Sequence, residues 1–129
     1  MTAELTEDQT LIVETARTFA QERLRPNAAR WEDEGLDRGA LKELASLGFA
    51  GIYVGEEHGG SGLTRLDAAL IFEELSRGCV ATAAFLSIHN MCSWMIDSFG
   101  NAEQRAQWLP QLVTMEKIAS YCLTEPGSG

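Results

Sequence analysis

The sequence predicts an all-α domain, a helical bundle of about five to six helices, on three observations. Apolar residues recur at helical spacing through several segments. Polar capping residues stand just ahead of them, and one long stretch is nearly free of charge. Only residues 118–129 change character, towards a strand and a glycine-rich loop.

Thr6 and Gln9 have the spacing of a capping box, in which each side chain satisfies the other residue's free backbone N–H. Leu11, Ile12, Thr15, Ala16, Phe19, Ala20 and Leu24 then recur at helical spacing, until Pro26 discourages continuation. Asp37 caps a second helix, with Leu41, Leu44 and Ala45 on one face and Gly48 just past its end, where a left-handed residue commonly stops a helix. Phe49 to Leu63 carries five glycines and reads as a long surface connection, of a length that is usually functional or packed on a neighbour. Thr64 caps a third helix through Ser76, with Leu66, Ala69, Leu70 and Phe72 to Leu75 as its apolar positions and Gly78 as its end.

No Asp, Glu, Lys or Arg occurs from Gly78 to Ile96, a length that reaches the roughly 18 to 20 residues of a membrane span. Thr82, Ser87, His89, Asn90 and Ser93 interrupt it, so the apolar helix from Ala81 to Phe99 reads as a central core helix. Asn101 and Gln104 repeat the capping box and open a helix containing Pro110. A proline there removes a donor, and a kink or a split into two short pieces is expected. Ile118 to Leu123 favours a strand that runs into Thr124-Glu125-Pro126-Gly127-Ser128-Gly129. A lone strand is not stable in water, so this one needs a partner outside the sequence. The organisation expected is a helical domain over residues 1–117, followed by one strand and a loop over 118–129.

Composition narrows the function classes. The 129 residues are 45% hydrophobic and 22% charged, enough for one domain with a core. A formal net charge of −9, with no run of five or more like charges, would on balance repel a phosphate backbone or an anionic membrane surface, which argues against nucleic acid as a partner. Cys79, Cys92 and Cys122 are an odd set without metal-ligand spacing, which argues against a disulfide framework and a zinc site. The acidic, polar start has neither the order of a secretory signal nor the character of a transit peptide, so a reducing, cytoplasmic location is expected. Gly59, Gly60 and Gly62 are not followed by Gly-Lys-Ser/Thr, so this is no phosphate loop.

The segment Tyr121-Cys122-Leu123-Thr124-Glu125-Pro126-Gly127-Ser128-Gly129 closely resembles the first signature of acyl-CoA dehydrogenases. The resemblance continues upstream through Leu47-Gly48-Phe49 with Gly51-Ile52, through Glu57 to Leu63, through Glu73-Glu74-Leu75-Ser76-Arg77, and through Gln104 with Trp108-Leu109-Pro110. It covers nearly the whole chain. Within the family, Ser87 to Cys92, Trp94 to Gly100 and Met115-Glu116-Lys117 look most like the isobutyryl-CoA dehydrogenases, which act on a short branched-chain substrate.

The resemblance implies FAD as cofactor, an acyl-CoA substrate, an electron-transfer flavoprotein as acceptor and a homotetramer at full length. The implied reaction removes an α proton and a β hydride to give a 2,3-enoyl-CoA. It places Tyr121, Cys122, Leu123 and Thr124 beside the pyrimidine end of the flavin, with Thr124 offering a hydroxyl. Gly127 and Gly129 let the loop approach closely. The carboxylate base belongs to a later domain in this family, so no catalytic residue is expected in this chain, and turnover by the chain alone is not expected. Glu125 is part of the cofactor loop, while Glu73 and Glu74 read as a solvated helix face. Ser87, Asn90 and Met91 are candidates for lining the acyl cavity, against the simpler reading of core packing. His89 reads as a satisfied core or edge histidine, and Trp31, Trp94 and Trp108 as core or interface aromatics. A freestanding helical interaction module is the alternative to a dehydrogenase.

Overall fold

A computed structural model describes residues 4–128. Six α-helices follow one another: α1 (Glu7–Phe19), α2 (Ala28–Glu34), α3 (Arg38–Ser46), α4 (Arg65–Gly78), α5 (Val80–Phe99) and α6 (Ala102–Val113). A π turn, Ala20–Leu24, prolongs α1, and a single 3₁₀ turn, Glu56–His58, lies in the long connection. The all-α class holds, and no strand occurs among the described residues. α4 is sandwiched, packing against α1 and its π turn and against α5, while α5 packs on α6. The core is built from Ala16, Phe19, Leu24, Leu44, Ile52, Ile71, Leu75 and Leu86.

The helix starts follow from their caps. Reciprocal capping boxes close at Thr6 with Gln9, at Thr64 with Asp67 and at Asn101 with Gln104. Asp37 accepts the Gly39 N–H at 2.7 Å. Gly48, at φ 84°, ends α3 in the left-handed region that glycine enters freely. α2 has no counterpart in the sequence reading. It is too short for a periodic pattern, and Trp31 is its one buried residue.

The first part of the connection from Phe49 to Leu63 is not a surface feature, whereas Gly55, Glu56, Glu57, Gly59 and Gly62 are exposed. Phe49, Ala50, Ile52 and Val54 are buried. Irregular backbone can enter a core only if its polar groups are satisfied, and here the segment doubles back on itself. Ser61 N–H donates to Gly51 O at 2.8 Å, Gly62 N–H to Val54 O at 2.9 Å, and Leu63 N–H to Ile52 O at 2.8 Å. A Cβ at Gly60 would lie 2.1 Å from the Val54 carbonyl oxygen, so only glycine permits that crossing.

Three further expectations are corrected. Pro110 neither kinks α6 into separate pieces nor ends it. Pro110 and Ala106 are both exposed, so the Ala106 carbonyl that the proline leaves without a donor is not on a buried residue. Residues 118–123 form no strand, having no neighbouring strand to supply a ladder. Glu74 is not on a solvated face. It is 5% exposed and takes a bidentate pair from Arg17, whose Nε and Nη2 donate at 3.1 and 2.9 Å. The Arg17 guanidinium holds the Glu74 carboxyl below its usual range, against the opposing effect of burial. Glu73 is exposed, as expected, and pairs with Arg77 at 2.7 Å.

Candidate functional site

The candidate site is the segment after α6 and the middle of α5 beneath it. Met115, at φ 58°, turns the chain back after α6, and Lys117 N–H donates to Gln111 O at 3.0 Å. Ile118 packs on the core. Ala119 is half-buried, and its N–H donates to His89 Nδ1 at 3.2 Å. Beyond it the chain is exposed from Ser120 to Ser128. Glu125 and Ser128 close a tight turn over Pro126 and Gly127, each N–H donating to the other's carbonyl at 3.0 and 3.1 Å.

Tyr121, Cys122, Leu123 and Thr124 therefore form an exposed run without regular secondary structure. Tyr121 and Leu123 present 41% and 67% of their surface. Among the described residues, the backbone N–H groups of these four donate to nothing in the chain. A Cβ at Gly127 would meet no atom within 4 Å, so the packing seen here does not account for a glycine at that position. Gly129 lies outside the described residues. Cys122 is exposed and free, whereas Cys79 and Cys92 are buried thiols, and burial pushes the Cys92 thiol up.

The three α5 candidates separate. Ser87 is partly exposed, with its hydroxyl donating to Ala84 O at 2.7 Å. Met91 is also partly exposed and lies one turn further on the same face. Asn90 is fully buried and committed to the protein interior. Its Oδ1 accepts Ile52 N–H at 2.7 Å, and its Nδ2 donates to Phe49 O at 2.8 Å and to Leu86 O at 3.0 Å. Two turns along the same face, Asp97 Oδ2 accepts Gly55 N–H at 2.9 Å, so α5 holds the first part of the connection at two points. Sequence reasoning missed that role, since nothing local marks an amide that satisfies backbone groups some forty positions away.

His89 is wholly buried. Its Nε2 lies 2.9 Å from Leu112 O, and burial pushes the imidazole below its ordinary range despite that bond. Trp31 is in the core. Trp94 packs edge-on to Phe99 at 5.8 Å and lies under the Arg65 guanidinium, which also stacks on Tyr53. Trp108 is exposed, beside the Lys117 ammonium at 4.9 Å. Among the described residues no group of His, Cys, Asp or Glu could hold a metal ion, and no helix is long and apolar enough to cross a membrane.

The family model described as "Acyl-CoA dehydrogenase, N-terminal domain" matches residues 6–116. The chain belongs to the acyl-CoA dehydrogenase family. Its relatives include the mitochondrial isobutyryl-CoA dehydrogenases of Dictyostelium discoideum, 57% identical over 126 residues, and of Bos taurus, 50% identical over 126 residues. Each alignment covers 97% of this chain and 30% of the relative. The chain thus spans less than a third of the length of these acyl-CoA dehydrogenases. A solved acyl-CoA dehydrogenase from Bacillus anthracis, complexed with FAD, superposes with a TM-score of 0.89 at 38% identity, covering 98% of this chain and 22% of that one.

Proposed function

We propose that this chain is the helical part, residues 1–117, with the start of the β domain, residues 118–129, of an FAD-dependent dehydrogenase acting on a short branched-chain acyl-CoA. The substrate proposed is isobutyryl-CoA, in valine breakdown, with an electron-transfer flavoprotein as acceptor and a homotetramer as the assembly. One observation carries this reading: residues 121–124 leave the helical domain with exposed backbone donors and no partner in the chain, in a family one of whose solved members is complexed with FAD.

The residues present fit the pyrimidine end of a flavin. That end carries carbonyl acceptors and a ring that apolar side chains can cover, and the segment supplies N–H groups, the Thr124 hydroxyl and the exposed Tyr121 and Leu123. Bound FAD would supply the hydride acceptor, and negative charge would then build near its N1 and C2 carbonyl. The backbone donors of Tyr121 to Thr124, which have no partner in the chain among the described residues, would be available to stabilise that charge. Open space at Gly127 admits a close approach by the cofactor. Ser87 and Met91, on one face of α5, line the acyl cavity. Asn90 supports that wall from behind through the Phe49–Ile52 backbone. No residue here serves as the base, since Glu74 is bound to Arg17 and Glu125 stands in the exposed turn. The three cysteines are free, which fits a reducing compartment, either the cytoplasm or the matrix of a processed mitochondrial form.

The test is intact mass and flavin absorbance on the protein isolated from its source, followed by addition of isobutyryl-CoA. Bound FAD that isobutyryl-CoA bleaches is the expected result. A flavin-free 129-residue species would mean a fragment or a helical interaction module, with activity to be sought in a partner, and bound flavin that isobutyryl-CoA leaves unbleached would overturn the substrate reading.

A further inference from the structure

We propose that His89 is a positioning residue for the flavin-facing segment, holding the backbone at Ala119 so that residues 121–124 leave the helical domain along one path. This rests on the flavin reading of that segment. The two ring contacts specify the imidazole completely. Leu112 O at 2.9 Å can only accept, so Nε2 carries the proton. The Ala119 N–H at 3.2 Å can only donate, so Nδ1 is bare. One neutral tautomer satisfies both groups, and a protonated ring, with a hydrogen on each nitrogen, repels the Ala119 amide.

An apolar side chain of similar volume would fill the same space but leave the Leu112 carbonyl one donor short and the Ala119 amide without an acceptor. A metal role has no support, because His89 belongs to no group of three or more His, Cys, Asp or Glu among the described residues. The placement of the bond gives it consequence. Met115 reverses the chain with a left-handed backbone that non-glycine residues adopt only under constraint, and Lys117 is held by Gln111 O. Ala119 is then the last backbone amide that the helical domain holds before the exposed run begins at Ser120. Tyr121 follows closely, so displacement at Ala119 is carried directly to the donors meant for the cofactor, where misplacement by about 1 Å can cost about 100-fold in rate.

The test begins with the 129-residue chain and needs no flavin. Nitrogen shifts of the His89 ring should show a protonated Nε2 and a bare Nδ1. The Ala119 amide should exchange with solvent about five- to tenfold faster in His89→Leu, the loss expected for one hydrogen bond. His89→Gln offers both a donor and an acceptor and should restore most of the protection. A proton on Nδ1, or Ala119 exchange unchanged in a folded His89→Leu, would overturn the tether. If the leucine variant fails to fold, the ring shifts and the glutamine variant still decide. In the flavoprotein from its source, His89→Gln should keep the flavin reduction potential near the wild-type value, and His89→Leu should shift it. An unshifted potential despite lost protection would overturn the positioning role. Absence of flavin from the natural protein would sink the functional reading instead, and the ring shifts and exchange data would show that failure to be separate.

Discussion

At the scale of single residues, the buried polar residues of this bundle, Asp67, Glu74, Thr82, His89, Asn90 and Ser93, are each matched to a specific partner. Glu74 lies almost wholly inside and accepts two bonds from a half-exposed Arg17. Its carboxyl is held below the ordinary value of 4.5, chiefly by the Arg17 bond. A lowered folded value means that the unfolded chain binds the proton more readily. The contribution is therefore fully present above about pH 4.5 and is lost as pH falls through the lower folded value. Glu74→Gln should lower stability at neutral pH by about 1–2 kcal/mol, discounted for the exposure of Arg17, and should flatten the acid limb of the stability curve. Urea unfolding of both proteins between about pH 3 and pH 7 checks this. Identical acid limbs would show that Glu74 does not carry the dependence.

At the scale of elements, the crossing of α4 over the end of α1 is governed by backbone approach. The π turn carries an Arg25 N–H to Ala20 O bond of 2.9 Å. A Cβ at Gly78 would lie 2.5 Å from that same Ala20 oxygen and 2.9 Å from Leu24 Cβ. Gly78→Ala must push the two elements apart or undo the π turn, and overpacking of this kind costs about 1–3 kcal/mol. Thermal unfolding of Gly78→Ala should show it, while the same change at Gly127, where a Cβ meets nothing, should leave the midpoint unchanged. The sequence marks Gly78 as a helix end, and α4 does end there. Its role in the crossing was not legible, since the neighbour it admits comes from far earlier in the chain. The burial of Phe49 to Val54 was missed for a related reason. Glycine content announces irregular backbone, but burial depends on distant acceptors and donors, here Asn90 on α5.

At the scale of the whole molecule, apolar surface remains uncovered on several sides. Val80, Phe99 and Leu123 are 71%, 77% and 67% exposed, and Leu66 and Leu11 are 59% and 64% exposed. Phe99 lies beside an open groove lined by Met95, Ile96 and Trp108. An apolar groove of this kind favours association. Sedimentation should show the average mass of the isolated chain rising with concentration, and Phe99→Ser should reduce that rise. A monomer that stays compact over a wide concentration range would contradict it.

The sequence by itself determined the helices with strong local signals. The capping pairs Thr6 with Gln9 and Asn101 with Gln104, the caps Asp37 and Thr64, and the terminator Gly48 were all placed correctly, because each acts within about one turn of its own position. The family, too, was legible in ordered motifs spread along the chain. Tertiary structure alone decided what needs two distant segments at once. It buried Glu74 against Arg17, turned Asn90 towards Phe49 and Ile52, and kept α6 whole around Pro110. It also set His89 between Leu112 and Ala119. Periodicity and capping reflect energies between near neighbours, whereas satisfying a buried polar group depends on whichever backbone the fold brings alongside it.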